Sequence, residues 1–134
     1  MRILIISDTH SNIQALSAVI KEKADLVFCL GDIVNYGPNP RECLERVRSL
    51  CNKIVRGNHD NQSQGAPWTY DFPWEYKFVA MGAMEFTIPL LKEEDQKYLI
   101  SLPTVERVEV DGHRLLLSHG SPKGDFWKFI PPQI

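Results

Sequence analysis

Residues 1–10 read MRILIISDTH, and the change of character within this stretch decides the fold. Ile3 to Ile6 form a continuous apolar run rich in β-branched side chains, which is typical of a β-strand covered on both faces. The polar cluster Ser7 to His10 follows without a spacer. In open α/β sheets, ligands bind at the carboxyl ends of the strands, so a polar cluster at this point indicates a binding site.

The same change from apolar to polar recurs along the chain. Three further predicted strands end directly in polar clusters: the buried strand Leu26–Leu30 before Gly31-Asp32, the shorter strand Lys53–Arg56 before Gly57-Asn58-His59-Asp60, and the buried strand Leu115–Leu117 before Ser118-His119-Gly120. Since the carboxyl ends of parallel strands lie along one edge of a sheet, we expect the four clusters to form one site.

Helical periodicity fills the segments between the first three strands. Ser11 and Gln14 have the spacing of a capping box, which predicts a helix with Ser11 as its N-cap. Asn39 and Pro40 predict the N-cap and the first position of a second helix. Apolar residues repeat at helical spacing in both segments: Ile13, Leu16 and Ile20, then Leu44, Val47 and Cys51. The order β-α-β-α-β predicts an α/β fold with a parallel sheet and right-handed crossovers.

The segment from residue 61 to residue 91 is less regular and contains most of the aromatic side chains: Trp68, Tyr70, Phe72, Trp74, Tyr76, Phe78 and Phe86. Pro73 suits a helix start, and the spacing of Tyr76, Val79, Ala80 and Ala83 predicts a helix. We expect most of the aromatic part from Trp68 to Phe78 to be helix core and the remainder to be a partner surface. A lid or a substrate wall is the alternative.

A helix and a hairpin are predicted for the rest of the chain. Lys92 to Leu102 has a helical pattern that Pro103 stops. Val105 to Val110 and Arg114 to Ser118 are strand patterns on either side of Asp111-Gly112, a dipeptide typical of tight hairpin turns.

Composition limits the class of protein. The 134 residues include 15 basic and 17 acidic side chains, a net charge of −2, which argues against a nucleic-acid-binding surface. A hydrophobic content of 43% predicts a globular chain, and we expect a single domain over residues 1–134. No apolar run approaches the roughly 18 residues that a membrane span needs. Cys29, Cys43 and Cys51 lack metal-ligand spacing and are expected to be buried or half-buried free thiols in a reducing cytoplasm.

The residue types in the polar clusters favour a metal centre. Asp8 and His10 are two residues apart, so on extended backbone both side chains leave the same face and can bind one ion. Asp32 has two carboxylate oxygens and can bridge two ions, while Asn58 and His119 offer an oxygen and a nitrogen. A mixed oxygen and nitrogen set without sulfur suits manganese, iron or zinc better than calcium. Single caps on the following helices would explain individual aspartates or asparagines, but not the histidines beside them.

These strings resemble a known family. DTH at residues 8–10, GDIVNYG at 31–37 and GNHD at 57–60 are similar to the motifs of calcineurin-like metallophosphoesterases in spacing as well as in letters. SHGSP at 118–122 resembles a subgroup of small phosphodiesterases and diadenosine-tetraphosphatase-like proteins. The resemblance covers essentially the whole chain, and it is specific because three ordered motifs each follow a predicted strand.

The resemblance implies a ligand set. Asp8 and His10 would bind one metal ion, Asp32 would bridge, and Asn58 and His119 would bind the second ion. The implied cofactors are two divalent ions, manganese first, with iron, zinc or nickel as alternatives. The implied partner is a small phosphorylated substrate, and neither a nucleic acid nor a membrane is expected as a partner.

The resemblance also implies catalytic roles for His59 and Asp60. The two cations would lower the pKa of a bridging water, and the resulting hydroxide would attack phosphorus in line. His59 would contact the phosphate and act as general acid on the leaving oxygen, and Asp60 would orient its imidazole. The implied reaction is hydrolysis of a small phosphodiester or phosphomonoester.

One family motif is missing from this sequence. Members of the family continue to a GHxH motif whose histidines complete the two metal sites, and this chain contains none. We therefore expect an αββα sandwich whose second sheet is incomplete because the C-terminal part is absent. Each ion would lack one ligand, which water or a neighbouring chain would supply, and a homo-oligomer could cover the uncovered surface. The rival interpretation is a catalytically weak binding or scaffold module, and a nuclease ranks third.

Several residues near the motifs have more than one interpretation. Asn35 and Tyr36 could touch a substrate, or they could form a plain turn that ends at Gly37. Arg56 is expected to be a structural ion-pair residue rather than a phosphate clamp, and His113 is expected to be an exposed hairpin residue. Gly31 and Gly57 are expected to let the backbone approach the ions closely.

Overall fold

The computed structural model describes residues 1–65, 74–125 and 128, and for Trp74 the backbone alone. Its strands are β1 (Ile3–Ile6), β2 (Leu26–Cys29), β3 (Lys53–Ile54), β4 (Val105–Val110) and β5 (His113–Ser118). Its helices are α1 (Ile13–Val19), α2 (Pro40–Leu50), α3 (Asn58–Asn61), α4 (Trp74–Thr87) and α5 (Glu93–Ser101), with 3-10 turns at Gln62–Gln64 and Ile88–Leu90. The helix start predicted at Pro73 lies outside the described residues, as do Trp68, Tyr70, Phe72 and the chain end from residue 129.

The first three strands form the predicted parallel sheet, in the order β1-β2-β3. Ile3 pairs with Leu26, and Phe28 pairs with Lys53. β3 is shorter than predicted and does not extend to Arg56. The reason is that the Arg56 N–H bonds to the Pro103 carbonyl beyond α5 and thereby leaves the sheet.

One face of this sheet packs against helices. Because side chains alternate along a strand, Leu4 and Ile6 point to the same face, and both contact the larger core cluster. Helices α1 and α2 close this core with the apolar side chains of the predicted spacing, and α5 adds two more: Ile13, Leu16, Ile20, Leu44, Val47 and Cys51, then Leu99 and Leu102. The amphipathic pattern of the first two helices is confirmed.

The other face packs against the hairpin β4–β5. Phe28, Val55 and Leu117 form a second cluster between the two sheets, so the described residues build a helix layer and two sheet layers. The α/β class is confirmed, and the second sheet has two strands among the described residues. The prediction that β1 is covered on both faces is wrong at Ile5, which pairs with Phe28 and is 54% exposed, because the hairpin lies over β2 and β3 instead.

The hairpin itself follows the prediction. Val110 pairs with His113 across the two-residue turn Asp111-Gly112, where φ is 49° and 75°. Two positive φ values in succession define a type I′ turn, whose twist matches that of the flanking strands. The prediction of a fully buried strand is wrong at Leu116, which is exposed on the outer face while Leu117 is buried.

Two helix predictions are corrected. The N-cap of α1 is Asn12, whose side chain accepts from the Ala15 N–H, because Ser11 has a left-handed backbone and its N–H bonds to the Ile33 carbonyl. The second correction concerns the aromatic segment, which was expected to be mostly helix core. In its described part on α4, the aromatic side chains do not lie in the core. Tyr76, Phe78, Val79 and Phe86 are exposed on it, and none of the described side chains buried on it is aromatic: Ala80, Met84 and Thr87.

The three cysteines are free, as predicted, with Cys29 and Cys43 buried and Cys51 half-buried. Burial raises the pKa of the Cys43 thiol to about 12 and that of Cys51 to about 11. Of the helices among the described residues, none has the length and apolar character to cross a membrane.

Candidate metal centre

The polar clusters of all four strand ends meet around one buried carboxylate, Asp32. Its Oδ2 atom lies 3.8 Å from His10 Nε2, 3.9 Å from His59 Nε2 and 3.3 Å from His119 Nε2. Asp32 is only 2% exposed, so these imidazoles surround a carboxylate that water hardly reaches. The expectation that the four clusters converge on one site is confirmed, although His119 follows β5 of the antiparallel hairpin and not a strand of the parallel sheet.

The remaining predicted ligands lie at the rim of the same centre. Asp8 Oδ1 is 3.6 Å from His10 Nε2, and Asn58 Oδ1 is 3.0 Å from His119 Nε2. Two groups have ligand atoms that all lie within 4.8 Å of one another: His10, Asp32 and His59, and Asp8, Asp32 and His119. Asp32 belongs to both groups, as a bridging residue would. The partition differs from the predicted pairs, since His59 joins one group and Asp8 lies beside His119 in the other.

The loops that carry these side chains have an unusual backbone. We call residues 7–12, 31–39 and 55–58 the site loops. They contain six of the seven non-glycine residues with positive φ in the described part of the chain: Asp8, His10, Ser11, Asp32, Asn35 and Tyr36. Each left-handed residue costs about 1–3 kcal/mol and persists only where the surroundings hold it. Here the Asp8 and His10 N–H groups donate to the Gly31 and Asp32 carbonyls at 3.0 Å.

Two glycines let the site loops touch one another. A Cβ on Gly31, where φ is +94°, would lie 2.4 Å from the Gly57 nitrogen. A Cβ on Gly57 would lie 2.0 Å from Asp32 Oδ1. These glycines therefore allow Gly31 to contact the Gly57 backbone and Gly57 to contact the Asp32 carboxylate. The sequence had suggested instead that they let the backbone approach the ions.

Asp60 ties the site loops together from behind. Its carboxylate is fully buried and accepts hydrogen bonds from the N–H groups of four residues: Asp32, Ile33, Val34 and Gly57. Burial and the nearby Asp32 carboxylate raise its pKa to about 6, against the opposing effect of these hydrogen bonds. The predicted role of orienting His59 is thus corrected, because both oxygens of Asp60 serve backbone groups.

Asn35 makes the contact to His59 that was predicted for Asp60. Asn35 Nδ2 lies 2.8 Å from His59 Nδ1, and both residues are buried. The amide also donates to the Ala80 carbonyl of α4 at 3.2 Å. Sequence reasoning left Asn35 as a turn or substrate residue. The one available signal was its place in the GDIVNYG string between Asp32 and Gly37.

The other two histidines turn their Nδ1 atoms to main-chain carbonyls. His10 Nδ1 lies 3.2 Å from the Val34 oxygen, and His119 Nδ1 lies 2.8 Å from the Leu30 oxygen. Both carbonyls belong to the strand end and loop that carry Asp32. The sheet edge therefore fixes the orientation of these imidazole rings.

The surroundings shift the pKa values of the site residues in different directions. The hydrogen bond from His10 lowers the pKa of Asp8 to about 2 although burial opposes this shift. Burial lowers the pKa of His119, but the hydrogen bond and charge of Asp32 outweigh it and raise the value to about 9. Asp8 and Asp32 likewise outweigh burial and raise the pKa of His10. His59 differs, since burial dominates and lowers its pKa to about 4.

A cavity of about 740 Å³ opens beside the centre. Asp8 and His10 line its polar end, and Ile5 and Val19 line its apolar side. Tyr36 stands between them, with its ring 4.8 Å from the His10 ring and 4.9 Å from the His59 ring by centroid distance. Tyr36 therefore lines the cavity together with Gly37, and its contact with a substrate stays a prediction.

Arg56 and His113 lie away from this chemistry. The Arg56 guanidinium donates to the Ile100 carbonyl, so the residue is structural as predicted, although this partner is a carbonyl rather than an acid. His113 is exposed at the hairpin turn, as predicted, and its Nδ1 lies 3.1 Å from the Asp111 oxygen.

A carboxylate shared by two groups of ligands at the carboxyl edge of a parallel sheet defines the class of site, a candidate dinuclear metal centre. The profile of the calcineurin-like phosphoesterase family matches residues 1–131, and the chain belongs to this family. The resemblance drawn from the motifs is thus confirmed.

Individual relatives agree with this assignment. An uncharacterized protein of Methanocaldococcus jannaschii is 38% identical over 135 residues, which cover 97% of this chain and 54% of that protein. The crystal structure of a metallophosphoesterase from Sphaerobacter thermophilus matches with 43% identity and a TM-score of 0.77, over 97% of this chain and 51% of that one. A symmetrical bis(5′-nucleosyl)-tetraphosphatase of Chromohalobacter salexigens is 35% identical over 63 residues, 44% of this chain and 23% of that protein. The chain thus spans about half the length of the M. jannaschii and S. thermophilus proteins.

Proposed function

We propose that this chain hydrolyses a small phosphodiester or phosphomonoester at the Asp32 centre with two divalent cations. The observation that carries the proposal is the position of Asp32 Oδ2, within 3.9 Å of three imidazole nitrogens and shared by two groups of ligand atoms. A carboxylate in that position can serve two cations at once, as two-metal hydrolysis requires.

The residues of the centre fit such cations. Asp8, His10 and Asp32 would hold one cation, and Asp32, Asn58 and His119 would hold the other. Oxygen and imidazole ligands without sulfur suit manganese, with iron, zinc and nickel as alternatives. When bound, such cations withdraw charge from a phosphoryl group and lower the pKa of water.

His59 is the candidate donor to the leaving oxygen, the position of a general acid. Its Nε2 faces Asp32 Oδ2, so a proton on that nitrogen reaches an oxygen atom bound at the centre. Burial lowers the pKa of His59 to about 4 and keeps the ring neutral at pH 7. Its contribution is then a hydrogen bond that strengthens as negative charge builds up on the leaving oxygen.

The cavity sets the size of the substrate. About 740 Å³ beside Asp8 and His10 accommodates a small phosphorylated molecule, with apolar wall at Ile5 and Val19 and an aromatic ring at Tyr36. The partial similarity to a bis(5′-nucleosyl)-tetraphosphatase adds nucleotide phosphoesters to the candidates. The free thiols support a reducing compartment such as the cytoplasm as the place of action.

Hydrolysis of bis(4-nitrophenyl) phosphate and 4-nitrophenyl phosphate with added Mn²⁺ tests the proposal. In the wild-type chain the main-chain N–H of His59 donates to Asp32 Oδ1 at 2.9 Å. Asp32→Asn keeps an acceptor oxygen for this N–H but removes the charge. We expect turnover to fall at least about 100-fold, since loss of a metal-bridging charge costs several kcal/mol of transition-state stabilisation. The matched control is His113→Gln at the exposed turn, which should retain full activity. Equal rates for Asp32→Asn and the control would refute the proposal.

A binding module is the second candidate. It is favoured by the small ligand set of the described residues, in which each group holds three ligand atoms from histidines and aspartates. Calorimetry with Mn²⁺ separates the two functions, because binding of the ion without turnover of either ester supports the module. Sedimentation of the same sample tests the predicted homo-oligomer.

A further inference from the structure

The three histidines around Asp32 differ in what their Nδ1 atoms meet. His10 and His119 turn Nδ1 to the Val34 and Leu30 carbonyl oxygens. A carbonyl only accepts, so Nδ1 carries a proton in both rings, and the neutral form leaves a lone pair on Nε2. In both rings Nε2 faces Asp32 Oδ2, and in His119 it also lies 3.0 Å from the acceptor Asn58 Oδ1, so a cation that binds there displaces the Nε2 proton.

His59 meets the opposite kind of group. The nitrogen of the Asn35 amide lies 2.8 Å from His59 Nδ1. An amide NH2 group only donates, so Nδ1 must accept, and the proton of the neutral ring is on Nε2. Since Nε2 faces Asp32 Oδ2, the neutral His59 ring presents an N–H to the centre, whereas the neutral forms of the other two rings present a lone pair there.

The orientation of the Asn35 amide is fixed by two main-chain contacts. Its Oδ1 accepts from the Tyr36 N–H at 2.9 Å, and its Nδ2 donates to the Ala80 carbonyl at 3.2 Å. A rotated amide would set oxygen against the Ala80 oxygen and nitrogen against the Tyr36 N–H, which are both repulsive. Asn35 is fully buried, so water cannot replace either contact.

We propose that Asn35 is a positioning residue that holds His59 in the tautomer with its proton on Nε2, which keeps His59 out of the metal coordination and makes it a hydrogen-bond donor to the phosphoryl group. The tautomer follows from the contacts of Asn35 alone. The identity of the acceptor rests on the proposed function. The geometric group His10, Asp32 and His59 is accordingly not a complete cation site, because one of its two imidazole nitrogens is protonated.

Long-range ¹H–¹⁵N correlation NMR of the ¹⁵N-histidine-labelled chain measures the tautomers directly. The chain has four histidines, so single His→Gln variants assign each ring. We expect the unprotonated nitrogen of His59 to be Nδ1. A His59 ring with its proton on Nδ1 in the wild-type chain would overturn the proposal.

Asn35→Asp is the matched variant. Aspartate has the same shape and also tolerates the left-handed backbone, where φ is +81°, but its carboxylate only accepts. We expect His59 Nδ1 to become protonated in this variant, while the shifts of the exposed His113 ring stay unchanged. A His59 pattern identical to that of the wild type would contradict the role of Asn35. The wild-type spectrum decides the tautomer even if the variant fails to fold.

Addition of the diamagnetic ion Zn²⁺ gives a readout at the centre. We expect the Nε2 shifts of His10 and His119 to move on coordination and the Nε2 proton of His59 to remain. Loss of that proton on zinc binding would overturn the exclusion of His59 from the coordination. If no histidine nitrogen responds to zinc, the proposed metal centre fails, whereas the tautomer measured without zinc still stands.

Discussion

The site loops and the hairpin turn Asp111-Gly112 both depend on left-handed backbone, but they hold it in different ways. At the turn, a dipeptide suited to positive φ adopts the conformation on the surface, and a Cβ on Gly112 would meet nothing within 4 Å. In the site loops, six non-glycine residues adopt it under hydrogen bonds from other strand ends. The turn is therefore a local structure, whereas the site loops exist only when the strands are assembled.

The largest effect expected from this comparison is at Asp60. Asp60→Ala leaves four buried N–H groups of the site loops without an acceptor. At about 1–3 kcal/mol for each unsatisfied group, we expect the free energy of unfolding to fall by at least about 4 kcal/mol in urea denaturation. Asp60→Asn keeps one acceptor oxygen and should lose less. Asp111→Ala at the hairpin turn should lose about 1 kcal/mol, and a similar loss for both alanine variants would break the comparison.

A pair of glycine substitutions tests the same difference with one added methyl group. Gly57→Ala would place Cβ 2.0 Å from Asp32 Oδ1 and 2.5 Å from the Asp32 nitrogen, so the site loops must move apart. We expect a loss of about 1–3 kcal/mol of unfolding free energy, together with loss of Mn²⁺ binding. Gly112→Ala meets open space and should cost only the left-handed strain, about 1–2 kcal/mol, with Mn²⁺ affinity unchanged. Titration calorimetry with Mn²⁺ distinguishes the two variants. An unchanged Mn²⁺ affinity in Gly57→Ala would count against the importance of the close contact between Gly57 and Asp32.

A smaller effect than those of the Asp60 and Gly57 substitutions is expected from pH, which should change the affinity of the wild-type chain for Mn²⁺. The pKa of His119 is raised to about 9, so below pH 9 a cation must displace a proton from its ring. We expect the affinity to rise with pH by up to about tenfold per unit between pH 7 and pH 9. His119→Gln should bind more weakly and flatten this rise, and His113→Gln should reproduce the wild-type slope. A pH-independent affinity in the wild-type chain would contradict the prediction.

The smallest effect is expected from replacing the turn dipeptide Asp-Gly by the equivalent dipeptide Asn-Gly. Asp111→Asn gives Asn-Gly, a dipeptide equally suited to a type I′ turn, on exposed backbone where φ is 49° and 75°. We expect the free energy of unfolding to change by no more than about 0.5 kcal/mol, and Mn²⁺ binding to stay the same. A thermal shift of more than a few degrees would show that the turn is coupled to the rest of the fold.

Most of the strands and helices could be predicted because their signals are local. The apolar run of β1, the spacing in α2 and the Asp111-Gly112 turn each depend on neighbouring residues in the sequence, and each was found at its predicted place. The failures have a different cause. Burial on α4 and at Ile5 depends on which partner surface lies opposite, and no periodicity reports that.

The candidate site divides along the same line. The sequence by itself determined the chemical types at the strand ends, and with the parallel order of the first three strands it predicted that Asp8, His10, Asp32 and Asn58 would meet. His119 was predicted to join them, but it follows β5 of the antiparallel hairpin, so the packing of the hairpin on the sheet brings it there. Only the tertiary structure decided that Asp60 serves the backbone and that Asn35 contacts His59. Those contacts join residues 24 to 28 positions apart, through hydrogen bonds whose donors and acceptors are set by the packing of one loop on another. A motif specifies which groups are present, but the direction of each hydrogen bond is fixed only when the loops are folded together.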